Sequence, residues 1–190
     1  MHDQIRDYIR AGFAGLYIVT FEDVRAEAEL KALADELEYT LFNWTLTRGI
    51  LNTTSGTIES VLDPIDAVNA VADLPEKSLL VLSDFHQFLG DRAQPASPLV
   101  TRSLKEQIRT ARTAGKVIVV TGCTLNLPPE LEKEFTVIDY TLPDAGALGV
   151  IADNILASAE VTIDAEMKQH AIESAMGLTT QEAEDIMALS

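Results

Sequence analysis

Five short apolar or aromatic runs alternate with amphipathic helical stretches up to residue 142, and then the runs stop. The runs are 16–20 (Leu-Tyr-Ile-Val-Thr), 39–46 (Tyr-Thr-Leu-Phe-Asn-Trp-Thr-Leu), 78–83 (Ser-Leu-Leu-Val-Leu-Ser), 117–121 (Val-Ile-Val-Val-Thr) and 135–140 (Phe-Thr-Val-Ile-Asp-Tyr). Short runs rich in β-branched and aromatic residues predict strands. Those without polar alternation predict strands buried on both faces, as in the middle of a parallel sheet.

The intervening stretches carry helix signals. Val24, Ala28, Leu30, Leu33, Ala34 and Leu37 form an apolar stripe near the helical period and predict a helix over 22–37. Asp63 followed by Pro64 predicts a helix start, with the carboxylate as cap and proline at the first helical position; the helix runs to about Asp73, before Pro75. Residues 99–114 predict a long helix stopped by Gly115. A short helix follows Pro128-Pro129, and polar turns fall at 52–57 and from Gly90 to Pro98. Such alternation predicts an α/β domain over 1–142: a mainly parallel sheet, right-handed crossovers and helices on both faces. Residues 143–190 predict a small all-α tail of three helices, 144–158, 164–175 and 179–188, the last opened by a Thr179–Glu182 capping box.

Charge narrows the function classes. The 190 residues hold 14 Lys+Arg against 30 Asp+Glu, a formal net charge of −16. General nucleic-acid binding needs cations that displace phosphate counterions, and anionic membranes repel such a chain. One cysteine, Cys123, excludes an intramolecular disulfide framework, and no Cys/His cluster has zinc-site spacing. No apolar run has spanning length, and the N-terminus is charged and mixed in sign, which leads to the expectation of a soluble cytoplasmic protein. The charge is unevenly spread: residues 143–190 hold nine acids and one base, half of the net total.

Ligands of parallel sheets bind at the carboxyl ends of the strands. After the first strand stands Thr20-Phe21-Glu22-Asp23, where a phosphate-cradling loop would need G-x-x-x-x-G-K-[ST]; that motif occurs nowhere in the chain. Glu22 and Asp23 instead put negative charge at a helix N-terminus and are expected to cap it. After the central strand, Ser83-Asp84-Phe85-His86 places Asp84 where a Walker B acid holds nucleotide-bound magnesium. His86 has no Ser or Cys partner nearby in sequence and reads as a hydrogen-bonding residue at a strand end. After the fourth strand, Thr121-Gly122-Cys123-Thr124-Leu125-Asn126 offers polar groups, and Cys123 has no basic sequence neighbour to activate it. Against the acidic background, Arg102, Lys105, Arg109, Arg112 and Lys116 recur at spacings of three and four residues. They form either a solvated helix face or a docking stripe for an acidic partner surface.

Residues 79–89, 117–121 and 127–144 together resemble the N-terminal half of a family of AAA+ ATPases from cyanobacteria and algal chloroplast genomes. Gly15–Asp23, Asn43-Trp44-Thr45 and the tail segment 177–184 fit the same resemblance, which covers nearly the whole chain. It implies a P-loop-NTPase-like, RecA/AAA+-like fold whose first domain is degenerate and lacks a Walker A, followed in those longer proteins by a full AAA+ module. It also implies that residues 143–190 are lid-like, Asp84 is a degenerate Walker B-like acid and Asn126 a sensor-like residue. Glu132, Lys133 and Glu134 occupy the region of an arginine finger, so none is assigned.

The expected function is a non-catalytic module serving assembly, regulation or substrate engagement for an AAA+ ATPase, in the same chain or on another protein. No catalytic residue and no metal site are assigned. ATP and magnesium would belong to the parent or partner ATPase, with the AAA+ module, in cis or in trans, and a second copy as the expected partners. Two alternatives remain open at this point: a stand-alone adaptor or inhibitor mimicking an AAA+ subunit, and a small α/β enzyme using Asp84 and His86, with Cys123 as a further strand-end candidate.

Overall fold

The computed structural model describes residues 2–91 and 93–189. The chain divides into two compact units, residues 1–140 and 141–190. In the first, α1 (His2–Arg10) leads into β1 (Gly15–Val19), α2 (Asp23–Leu37) and β2 (Thr40–Thr45). A hairpin of β3 (Gly49–Asn52) and β4 (Ile58–Glu59) precedes α3 (Pro64–Asn69), which runs into a 3-10 turn at Ala70–Ala72. Then come β5 (Ser78–Leu82), a 3-10 turn (Phe85–Phe88), α4 (Pro98–Thr113), β6 (Val117–Gly122), a 3-10 turn (Pro129–Leu131) and β7 (Thr136–Asp139).

The seven strands form one sheet in the order β4-β3-β2-β5-β6-β1-β7. Every pairing from β2 to β7 is parallel, and only the hairpin edge is antiparallel. The α/β fold read from the sequence is therefore the observed one.

Strand periodicity sends successive side chains to opposite faces. Leu16 and Ile18 join Val81, Val119 and Ile138 under Ile5 and Ile9 of α1 and Leu30 and Leu33 of α2. Tyr17 points the other way and joins Leu80, Leu82, Ile118 and Val120 against Val68 of α3 and Leu104 and Ile108 of α4. Because helices cover both faces, β5 and β6 are buried at every residue, which is why their sequences show no polar alternation.

Three elements, α1, β3 and β4, were not visible in the sequence. In α1 only Ile5 and Ile9, one turn apart, are buried, and polar neighbours hide the stripe. Strands β3 and β4 are too short to show a pattern; the polar cluster at 52–57 is their hairpin turn, in which the Asn52 side-chain oxygen accepts from the Thr54 and Ser55 amides at 2.9 and 3.1 Å. Gly49 is required there: its φ is +82°, and a Cβ would stand 2.2 Å from the Glu59 carbonyl oxygen.

The capping signals hold. The Asp63 carboxylate accepts from the Ile65 and Asp66 amides at 2.8 and 3.2 Å. Gly115 lies at φ +62° directly after α4, where the Lys116 amide reaches back to the Ala111 carbonyl.

The second unit consists of α5 (Ala145–Ala159), α6 (Ala165–Ala175) and α7 (Thr180–Leu189) around Leu148, Ile172, Ala175 and Ala183. Asp144 and Asp164 cap α5 and α6. The capping box of α7 is reciprocal: Glu182 accepts from the Thr179 amide at 2.8 Å, and the Glu182 amide donates to the Thr179 hydroxyl at 3.3 Å. Among the described residues no helix is long and apolar enough to cross a membrane.

Candidate functional site

The parallel strands deliver their carboxyl ends to one edge of the sheet, so the segments after β1, β5 and β6 converge there. After β1 the chain closes on itself. The Thr20 amide donates to the Gly122 carbonyl at 2.9 Å, and the Glu22 amide donates to the Thr20 hydroxyl at 2.8 Å. The Val24 amide is taken by the Asp23 carboxylate at 2.9 Å, and the Ala26 amide by the Glu22 carbonyl. The amides of residues 22, 24 and 26 thus already have acceptors.

Glu22 departs from its expected role. It is buried and makes no side-chain cap bond; its carboxylate pairs with Arg25 instead. Burial explains the choice, since a dehydrated carboxylate gains more from a full cation than from a helix end. The Arg25 guanidinium in turn lies 4.5 Å from the centre of the Tyr140 ring, and the Tyr140 hydroxyl donates to Glu29. Burial, then the hydrogen bond to Glu29, holds the Tyr140 hydroxyl well above the ordinary tyrosine range.

After β5, Ser83 turns its hydroxyl towards Asn43 (2.9 Å) and Glu27 (3.2 Å). Asp84 is solvent-exposed in a left-handed conformation (φ 55°) and heads the 3-10 turn without a side-chain cap bond. Phe85 and His86 are buried behind it, Phe85 edge-on to Trp44 at 5.6 Å.

After β6, the segment 123–126 is pinned by Tyr17, which projects from the middle of β1. Its hydroxyl donates to the Thr124 carbonyl at 2.7 Å and accepts from the Asn126 amide at 3.2 Å. Burial pushes the Tyr17 hydroxyl above its ordinary value, the Asn126 bond opposes that shift, and the nearby Cys123 adds to it. The Asn126 side chain donates to the His86 carbonyl at 3.4 Å, so Asn126 joins the segments after β5 and β6. No hydrogen bond links it to Asp84 among the described residues. Asn126 lines two clefts, one of about 1010 Å³ with His86, Cys123 and Thr124, the other of about 730 Å³ with Leu125, Pro128, Arg102 and Lys105. Asp84 lines neither.

The enzyme alternative grouped Asp84, His86 and Cys123 by strand-end position alone, and the structure brings two of the three into contact. Cys123 and His86, 37 residues apart, lie on adjacent strand ends with Sγ 3.7 Å from Nε2. The reading that His86 lacks a cysteine partner held only for neighbours in sequence. The available signal was that both residues follow central strands by a few positions. Among the described residues no group of three or more His, Cys, Asp or Glu side chains is placed to hold a metal.

The basic series divides. Arg102, Lys105, Arg109 and Arg112 lie on α4, and Arg102 pairs with Glu106 at 2.5 Å. Arg109 meets Glu134 at 2.8 Å and Arg112 approaches the same carboxylate at 4.0 Å. Lys105 is half-buried at the rim of the smaller cleft. Lys116 is different: it is 7% exposed, and its Nζ donates to the Val71 and Ala72 carbonyls, each at 2.9 Å. Lys116 stands past the helix end, as the stop at Gly115 implied, but it is not part of an exposed stripe: it satisfies the carbonyl end of a 3-10 turn.

The comparisons with known proteins agree with this architecture. Solved structures share the fold: a FIGL-1 AAA domain in complex with ADP matches with a TM-score of 0.65 at 15% identity, over 93% of this chain and 59% of that one. The Thermotoga maritima RuvB Holliday junction branch migration motor matches with a TM-score of 0.64 at 12% identity, over 97% and 60%. Among curated proteins, the AAA domain-containing protein ycf46 of Trieres chinensis is 23% identical over 190 residues, and that of Guillardia theta 22% over 183. These alignments take in 98% and 95% of this chain but only 37% and 35% of the relatives, so the chain spans little more than a third of their length. The family model for the N-terminal domain of SpoVK-like AAA ATPases matches residues 1–140, the whole of the sheet-bearing unit. On that match the chain belongs to the SpoVK-like AAA ATPase family, as a bearer of its N-terminal domain.

Proposed function

We propose that this chain is a non-catalytic AAA+ module that serves assembly, regulation or substrate engagement for an AAA+ ATPase, carried downstream in a longer protein or on a separate one. The observation that carries the reading is the turn after β1. In place of a glycine-rich loop with its lysine stand Thr20, Phe21 and Glu22, and the amides of residues 20, 22, 24 and 26 already have acceptors. A phosphate there would also meet the Glu22 and Asp23 carboxylates. Without the lysine and the backbone nest, most phosphate stabilisation is missing. Asp84 and Asn126 are then remnants of Walker B and sensor positions with no nucleotide to act on. ATP and magnesium belong to the partner ATPase.

The α4 cations support a contact with an acidic surface, either the AAA+ module or a second copy. Arg102, Arg109 and Arg112 keep more than half of their side-chain surface exposed while paired with a carboxylate, so they remain open to a further anionic group. The acidic second unit, with half of the net charge, is a matching surface chemistry.

The test adds the chain in trans to an AAA+ ATPase module of a longer relative and follows phosphate release. A several-fold change in ATPase rate, or a stable complex in gel filtration, is expected. An unchanged rate together with no complex contradicts the reading.

A further inference from the structure

Cys123 is the only cysteine of the chain, and it is half-buried. Its sulfur faces a histidine ring with no other hydrogen bond among the described residues. His86 is 8% exposed; Nε2 lies 3.7 Å from the Cys123 Sγ, and Nδ1 is buried without a hydrogen-bond partner. Nδ1 abuts Gly122, where a Cβ would stand only 2.3 Å away. The ring is therefore committed to the thiol alone, although buried polar side chains as a rule have their hydrogen bonds satisfied. Both residues line the cleft of about 1010 Å³, so the sulfur borders open space on one side and a base on the other.

We propose that Cys123 and His86 form a reactive thiol–imidazole pair, a modification site whose reagent is a hydroperoxide. Nε2 of His86 takes the thiol proton, and the thiolate attacks the distal peroxide oxygen. The S–O bond forms as the O–O bond breaks, and the leaving oxyanion takes the proton back from His86. The sulfur loses two electrons, the peroxide gains them, and the products are Cys123 sulfenic acid and water or an alcohol. A small neutral oxidant suits a half-buried sulfur. No second cysteine lies within these 190 residues, so a thiol from outside them is needed to resolve the sulfenic acid. The added oxygen would lie between the segments after β5 and β6, which Asn126 and Tyr17 hold together.

The experiment treats the chain with hydrogen peroxide at neutral pH, traps sulfenic acid with dimedone and locates it by mass spectrometry. One adduct at Cys123 is expected, formed at least about tenfold faster in the native wild type than in His86→Gln, and none in Cys123→Ser. The same wild-type thiol in the urea-unfolded chain should also react more slowly than in the native chain, although unfolding exposes it. Equal rates in wild type and a folded His86→Gln overturn the proposal, as does a native rate at or below the unfolded one. If His86→Gln does not fold, the native-against-unfolded comparison decides alone.

Discussion

Lys116 offers the sharpest separation between a docking cation and a structural one. Replacing it with Met keeps the aliphatic length and removes the ammonium. The Val71 and Ala72 carbonyls then lose a donor at 2.9 Å in a site where the side chain was only 7% exposed. Two charge-assisted bonds contribute about 1.5 kcal/mol each. Relief from burying an ammonium offsets part of this, leaving a destabilisation of about 2 kcal/mol. For a chain of this size that corresponds to a fall in Tm of about 4–8 °C. Trp44 is the sole tryptophan and fully buried in the same core, so its fluorescence reports urea and thermal unfolding. Lys105→Met, which removes a cation with no hydrogen bond or ion pair among the described residues, should change stability by less than about 0.5 kcal/mol. Equal, small effects of the two substitutions would refute the assignment of Lys116 to the interior.

Gly122→Ala forces a Cβ to within 2.3 Å of the His86 ring and should cost about 1–3 kcal/mol in urea unfolding; an unchanged midpoint would contradict the close packing of β6 on His86. Alkaline pH provides another check, because the buried Tyr17 and Tyr140 hydroxyls sit above their ordinary value in the fold. Groups raised in this way stabilise fully below the unfolded tyrosine value of about 10, and the contribution is lost as pH rises through the folded values. Stability in urea should therefore decline above about pH 10, and less steeply in Tyr17→Phe; parallel curves for the two would count against it. Reversing Arg109 and Arg112 to Glu should lower the mass of any complex seen by light scattering, and an unaltered mass would remove the docking role from α4.

The parallel sheet was legible because central strands must be apolar throughout. Ser78–Leu82 and Val117–Gly122 are buried on both faces, and their short length and flanking turn residues separate such runs from a buried helix. Local caps at Asp63, Asp144, Asp164 and Glu182 were also readable or consistent with their residue types, since such bonds span two or three positions. What escaped depends on strand order or on remote partners. Cys123 meets His86 only because β5 and β6 are neighbours. Glu134 neutralises part of the α4 series from beyond β6, and the carbonyls that bury Lys116 come from residues 71 and 72, more than 40 positions away. Glu22 looked like a cap because its burial beside Arg25 is a tertiary fact. The β3–β4 hairpin has strands of four and two residues, below the length at which alternation is visible.

The turn after β1 is acidic and its Thr20, Glu22, Val24 and Ala26 amides are occupied, where a phosphate-cradling loop would need free ones. Isothermal titration of the chain with ATP and magnesium tests it most directly. No measurable heat of binding is expected at concentrations that saturate working AAA+ modules. A one-to-one isotherm with micromolar affinity, abolished by Asp84→Ala, would contradict it.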